Sequence, residues 1–379
     1  MLYLMSNSEL NDWIYSLDEN ILNFINKLKK NKFEYFPTKE GLTKEGKEIN
    51  LGFACFALKI KYILNDDEVN DNRYLDAASS YLNKFQGVNP GFPDNSFFDQ
   101  SFLDFHLNPN IKNKIKDNLK EIANNVGSRK YLDKNIVLQN YIRAETKQAI
   151  STLYQIGRKN KLKYLDFPVN DDEIEKFMLN QDWRFPWNAG AQFSTLCLFS
   201  KTQLDDKSVK ETKINLDNYI KDISNYETGG YFLHKTPNTN ELINGSMKVI
   251  SGLDWLGSEI HYPERLIDFC LQSNTQLEGC DIVDIVYVLY KCTKQTNYRR
   301  EEIAIYLDNL IADIKLNFNE KDKAFSYYFQ SSQKYYYGLT ISKGKNHADI
   351  HGSLLLIWAL SMIFEITDKY KKNWNVLKP

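Results

Sequence analysis

Apolar and polar positions along the chain fall into two kinds of helical stretch. One is amphipathic with charge on a single face, as at 207–224 and 300–317; the other is apolar almost throughout, as from Ile282 to Tyr290 and from Leu354 to Met362. Six times a stretch of the first kind is followed by a polar or Gly-containing break and then a stretch of the second kind. The second stretches open on polar residues, near Asn50, Gln139, Asn188, Asn244, Cys280 and Asp349. Apolar positions recurring every three or four residues predict helices at 9–30, 48–64, 70–86, 111–126, 134–157, 171–180, 188–200, 207–224, 244–257, 263–273, 281–293, 300–317 and 350–368. The acidic residues after Asn170 and the pair Pro263-Glu264 mark two helix starts. Strand patterns are scarce; Ala324 to Phe329 and Tyr335 to Gly338 suggest a short hairpin.

A helix pair that repeats cannot bury its apolar face alone, so the pairs must stack or close into a ring. Pairing 9–30 with 48–64, 111–126 with 134–157, 171–180 with 188–200, 207–224 with 244–257, 263–273 with 281–293 and 300–317 with 350–368 gives six units. Six is the number that closes an all-α (α/α)6 toroid, with buried inner helices and half-exposed outer ones. The long interval between the first two units holds the helix at 70–86 and an aromatic, Pro-containing segment at 87–110, expected as a lid-like insertion over one mouth. No Gly-, Ser- or Pro-rich linker divides 1–379, which predicts a single domain. Parallel inner helices would gather their unpaired N–H groups at one rim, a place that favours anions.

Composition narrows the function. Apolar residues make up 42% of 379, enough for a substantial core, and 24 Tyr with 22 Phe supply material for a cavity wall. A formal net charge of −1 without a basic stripe argues against nucleic acid as a partner. No apolar run reaches the ~18 residues a spanning helix needs, so no transmembrane segment is expected. Five cysteines, odd in number and set in apolar helical pattern, read as reduced thiols, and the opening residues lack the apolar core of an export signal. A cytoplasmic protein is expected.

Three short motifs carry a resemblance. Glu227-Thr-Gly-Gly-Tyr231 followed by Asn244-Gly-Ser-Met-Lys248 resembles the Gly-Gly-aromatic turn and inner helix of the terpenoid cyclase and protein prenyltransferase toroids. Ile282 to Tyr287 resembles the prenyltransferase segment bearing an aspartate zinc ligand, which places Asp284 on that position. Ala348-Asp-Ile-His-Gly352 resembles the segment bearing the histidine ligand, which places His351 there. The family's third ligand, a cysteine two residues after the aspartate, is Val286 here. The Asp-x-Asp-Asp motif of squalene-type cyclases is absent; Asp281-Ile-Val-Asp284 has two carboxylates at another spacing.

Candidate site residues follow from chemistry as well. His347-Ala-Asp-Ile-His351 is the densest titratable cluster: Asp349 can fix a tautomer and His351 can move a proton near neutral pH, or Asp349 can simply cap the next helix. Two imidazoles and a carboxylate are also acceptable metal ligands, with Asp284, Asp281 or Cys280 as a fourth; the metal, any cofactor and the oligomeric state stay open. Asp284 lies one turn inside an apolar helix and should face inward, with Asp281 nearer its end. Arg143 and Lys147 share a helical face, and the guanidinium fork suits a phosphate or carboxylate. Trp183, Trp187 and Asn188 at an inner-helix start suit a sugar face or a greasy wall. Lys248 can neutralise an anion, and Tyr337, before Gly338, can place a phenol over a pocket.

The leading expectation is an enzyme resembling terpenoid cyclases and prenyltransferases, acting by acid–base chemistry on an isoprenoid or other extended small molecule in a central cavity. Carbohydrate lyase, hydrolase or epimerase activity on an oligosaccharide is the alternative, and a non-catalytic binding toroid the third.

Overall fold

The computed structural model describes residues 7–89, 91–107, 134–273 and 279–379. These residues form an all-α structure. Its helices are α1 (Asn7–Leu28), α2 (Lys44–Glu48), α3 (Leu51–Ile63), α4 (Asn72–Leu82), α5 (Gln100–Leu107), α6 (Lys134–Gln155), α7 (Asp171–Leu179), α8 (Pro186–Gln203), α9 (Asp206–Asp222), α10 (Thr239–Leu256), α11 (Pro263–Leu271), α12 (Gly279–Thr293), α13 (Arg300–Leu316) and α14 (Ile350–Thr367). The helix expected at 111–126 lies outside the described residues.

The start signals act as anticipated. Asn170 Oδ1 accepts the amide of Glu173, and Pro186 and Pro263 occupy first helical positions, where a missing N–H is harmless. The helix expected over 48–64 is α3 and starts at Leu51; residue 48 instead ends the short α2, and Ile49-Asn50 separates the two. The break is held from a distance: Asp99 Oδ2 accepts the amides of Asn50 and Leu51 at 2.7 and 3.1 Å. That contact belongs to the segment after α4, where a two-residue ladder, Gln86–Gly87 with Ser96–Phe97, leads into α5.

The expected hairpin between 324–329 and 335–338 does not form. Each segment pairs with its nearer neighbour, Phe318–Asn319 with Ala324–Phe325 and Tyr335–Tyr336 with Leu339–Thr340. The second of these turns through Tyr337 and Gly338, both left-handed at φ 42° and 85°, the two-residue turn whose twist matches flanking strands.

Among the described residues six largely buried helices supply much of the core, which α1, α4 and α13 also enter. Helix α3 packs on α6, α6 on α8, α8 on α10, α10 on α12, α12 on α14, and α14 returns to α3. The amphipathic helices lie against them: α9 on α8 and α10, α11 on α12, α13 on α12 and α14. Glycine sets the closest of these approaches. A Cβ on Gly245 would stand 2.6 Å from Pro186 Cβ, and one on Gly252 2.6 Å from the Phe193 ring, so α8 and α10 touch backbone to side chain. Among the described residues α14 alone is long and apolar enough to cross a membrane, and 78% of that stretch is buried inside the protein.

Candidate functional site

All six apolar helices contribute to one cavity of about 330 Å³. Its wall takes Phe56 and Lys59 from α3, Arg143, Lys147 and Gln148 from α6, and Gln192 and Thr195 from α8. Met247 and Lys248 come from α10, Cys280, Val283 and Asp284 from α12, and His351, Leu354, Leu355 and Trp358 from α14. Tyr337 reaches in from its turn, and Leu377 and Pro379 close the wall elsewhere. The terminal segment is tied down across helix ends: Asn375 N donates to Ile63 O at 2.8 Å, Lys378 N to Gln155 Oε1 at 2.9 Å, and Trp255 Nε1 to Pro379 O at 2.6 Å.

The cavity is cationic. Four basic side chains, Lys59, Arg143, Lys147 and Lys248, meet one acidic side chain, Asp284. Lys248 Nζ lies 4.0 Å from Asp284 Oδ1, and the remaining three form no ion pair among the described residues. Burial pushes Lys59 down to about 8. Burial, with the charges of Lys248 and Lys59, pushes Lys147 down to about 7. Burial raises Asp284 to about 6 against the opposing pull of Lys248. Burial also holds the His351 imidazole near 3, with Lys248 and Lys59 acting the same way, so that ring is neutral at ordinary pH. It stacks on Phe56 at 4.6 Å with 6° between planes.

Several polar atoms of the wall lack partners. Arg143 Nε and Nη2, Gln148 Nε2, Trp358 Nε1, His351 Nδ1 and Asp284 Oδ2 are buried with no hydrogen bond. Each would cost about 1–3 kcal/mol if nothing satisfied it, so their concentration around one void calls for polar partners inside it. Four of the six atoms are N–H donors, which asks for acceptor oxygens on what is bound.

Several anticipated site residues meet here and others do not. Arg143, Lys248, Asp284, His351 and Tyr337 share the cavity. Asp281 and Trp187 lie in a polar groove at the rim with Asn238, Asn240, Asn244 and Tyr327, where Asn244 Nδ2 donates to Asp281 Oδ1 at 2.8 Å. Cys280 lines both spaces, its thiol 2.9 Å from Tyr327 Oη. Asn188 is exposed outside both. Trp183 is buried and donates to Met178 O at 3.3 Å, so its indole is packing and not a platform. Asp349 caps α14 and accepts the amides of Gly352, Tyr327 and Gln333 at 2.8, 2.8 and 2.9 Å. His347 bonds Asp322 Oδ2 at 2.8 Å through Nδ1, away from the cavity. The histidine cluster is therefore mostly loop architecture.

Lys59 and Glu145 escaped the sequence reading. A lysine inside the apolar run Phe53 to Ile63 was the available signal for the first. Glu145 is fully buried, accepts the Tyr336 hydroxyl, and is raised by burial to about 8. Its neutral form leaves the nearby ammonium groups uncompensated.

The resemblance implies zinc at Asp284 and His351. Val286 is fully buried where a thiolate would stand, and Asp284 is paired with Lys248. Among the described residues no group of three or more His, Cys, Asp and Glu side chains is placed to hold a metal. The side chains present do not fit a zinc ion. The chain matches no known family, no curated protein and no solved structure.

Proposed function

We propose that the six apolar helices are the inner ring of an (α/α)6 toroid, and that the protein is an enzyme acting on a small organic anion held in its central cavity. The cyclic order of helix contacts and a void touched by all six support the ring. The observation that carries the ligand class is the set Lys59, Arg143, Lys147 and Lys248 facing a single acidic side chain, with unpartnered donors beside them. Phe56, Met247, Val283, Leu354 and Leu355 fit an apolar body attached to the anionic head.

Isoprenoid diphosphates belong to that class and are what the likeness to terpenoid cyclases and prenyltransferases implies. Asp284, half protonated near pH 6, and the free amine of Lys147 are the proton-transfer groups. His351, neutral and stacked, serves as wall and hydrogen-bond partner. The five unbridged cysteines suit the cytoplasm. Incubation with labelled prenyl diphosphates tests this reading: turnover or tight binding, lost on Lys248→Met, supports it, and neither binding nor turnover removes it.

The rim groove favours a second reading. The half-exposed indole of Trp187 beside Asn238, Asn240, Asn244 and Asp281 offers a stacking face and amides suited to a sugar. Binding of oligosaccharides abolished by Trp187→Ala would select carbohydrate chemistry instead.

A further inference from the structure

Lys147 stands apart from the other cavity lysines. Lys248 has Asp284 at 4.0 Å, and Lys59 donates to two groups, Ser151 Oγ at 3.0 Å and Gln148 Oε1 at 3.4 Å. Lys147 donates only to a neutral hydroxyl, Ser194 Oγ at 3.0 Å, which is bonded to Ser251 Oγ at 2.7 Å. No carboxylate pairs with it among the described residues, and two ammonium groups act on it from the same cavity. A desolvated lysine beside other cations keeps its lone pair at neutral pH, which is how amine nucleophiles are activated. Arg143, one turn earlier on α6 with two unpartnered N–H groups, is placed to hold an anion while the amine reacts.

We infer that Lys147 is a nucleophilic amine that captures the carbonyl group of an anionic substrate as an imine. The inference rests on the anion-binding reading of the cavity and narrows the substrate to an oxo acid or a phosphorylated aldehyde or ketone with an apolar part. The nitrogen lone pair adds to the carbonyl carbon as the C=O π bond breaks; the oxygen takes a proton and the nitrogen gives one up, leaving a neutral carbinolamine. Loss of that oxygen as water, with the remaining N–H proton released, leaves the C=N bond. No oxidant or reductant is consumed. The protonated Asp284 carboxyl and the Lys248 ammonium, on the same wall, are the proton donors.

The test uses the full chain with pyridoxal 5′-phosphate as an anionic aldehyde probe, borohydride reduction and peptide mass mapping, alongside calorimetric titration of inorganic pyrophosphate. The expected result is one reduced adduct per chain on Lys147, blocked by excess pyrophosphate. Pyridoxal lacking the phosphate should label about tenfold less, the loss of one charge-assisted contact. Lys147→Arg puts a permanent cation where the amine stood, so it should bind pyrophosphate at least as tightly as wild type and form no adduct. Pyrophosphate binding without a Lys147 adduct, or adducts confined to other lysines, overturns this inference alone. Failure of the wild type to bind pyrophosphate overturns the anion reading and this inference with it.

Discussion

Lys248 Nζ stands 4.0 Å from Asp284 Oδ1, a pair joining α10 to α12 across the cavity wall. Among the described residues it is the one ion pair between a cavity cation and an acidic side chain. The pair ties the central argument together, since Asp284 both tempers the positive charge and holds a proton near pH 6.

Asp284→Asn removes the counter-charge and keeps the shape. Sulfate binding should tighten by about fivefold, the scale of a partly screened ion pair, while turnover of any true substrate falls more than about tenfold. Calorimetry and an activity assay check the two arms. A non-catalytic binding toroid would show the first effect without the second.

Anion affinity should rise as pH falls. Lys59 and Lys147 titrate at about 8 and about 7, so both are largely neutral in alkali and gain charge on acidification. Asp284 loses its negative charge as pH drops through about 6, which acts in the same direction. Sulfate keeps a constant charge across this window. Its titration at slightly alkaline pH in two buffers of different ionisation enthalpy should show proton uptake on binding. Affinity independent of pH would contradict the account.

His351 should stay neutral through mildly acid pH, because burial and two nearby ammonium groups disfavour its cation. Imidazole nitrogen shifts measured by NMR on ring-labelled protein should not titrate near the ordinary histidine value. A normal titration would show that the ring is solvated.

Asp349→Ala should destabilise the fold and not the chemistry. The carboxylate is fully buried and serves three backbone amides, two of them in the loop at 327–333. Losing the cap and orphaning those amides costs about 3–5 kcal/mol, readable as a shifted chemical-denaturation midpoint. A loss below about 1 kcal/mol would contradict the capping role.

Gly245→Ala tests the close approach of α8 and α10. Its Cβ would stand 2.6 Å from Pro186, and relieving that overlap should cost about 1–3 kcal/mol. An unchanged melting temperature would mean the helices part freely.

The helices were legible because each apolar run in this chain is long and set off by polar breaks. Asn170 and Pro263 announced their helix starts through local chemistry. What local pattern cannot show is a partner far away in sequence. Asp99 holds the break at Asn50 from outside, so that α3 starts at Leu51 and not at 48, and Asp322 bonds His347 away from the cavity. The candidate site was readable where a charged residue interrupts an apolar helix, as with Asp284 and Lys248. It was misjudged at Trp183 and Asp349, whose residue types suit ligands as well as they suit packing and capping. Lys59 carried the same signal and was passed over, and Glu145 was missed because its partner, Tyr336, lies far away in sequence.

Calorimetric titration of inorganic pyrophosphate into the wild type and into Arg143→Met tests the cavity most directly. The account predicts one pyrophosphate per wild-type chain and binding weakened at least about tenfold in the variant, as a bidentate charge-assisted contact is lost. Absence of binding to the wild type, or equal affinity in both proteins, would contradict it.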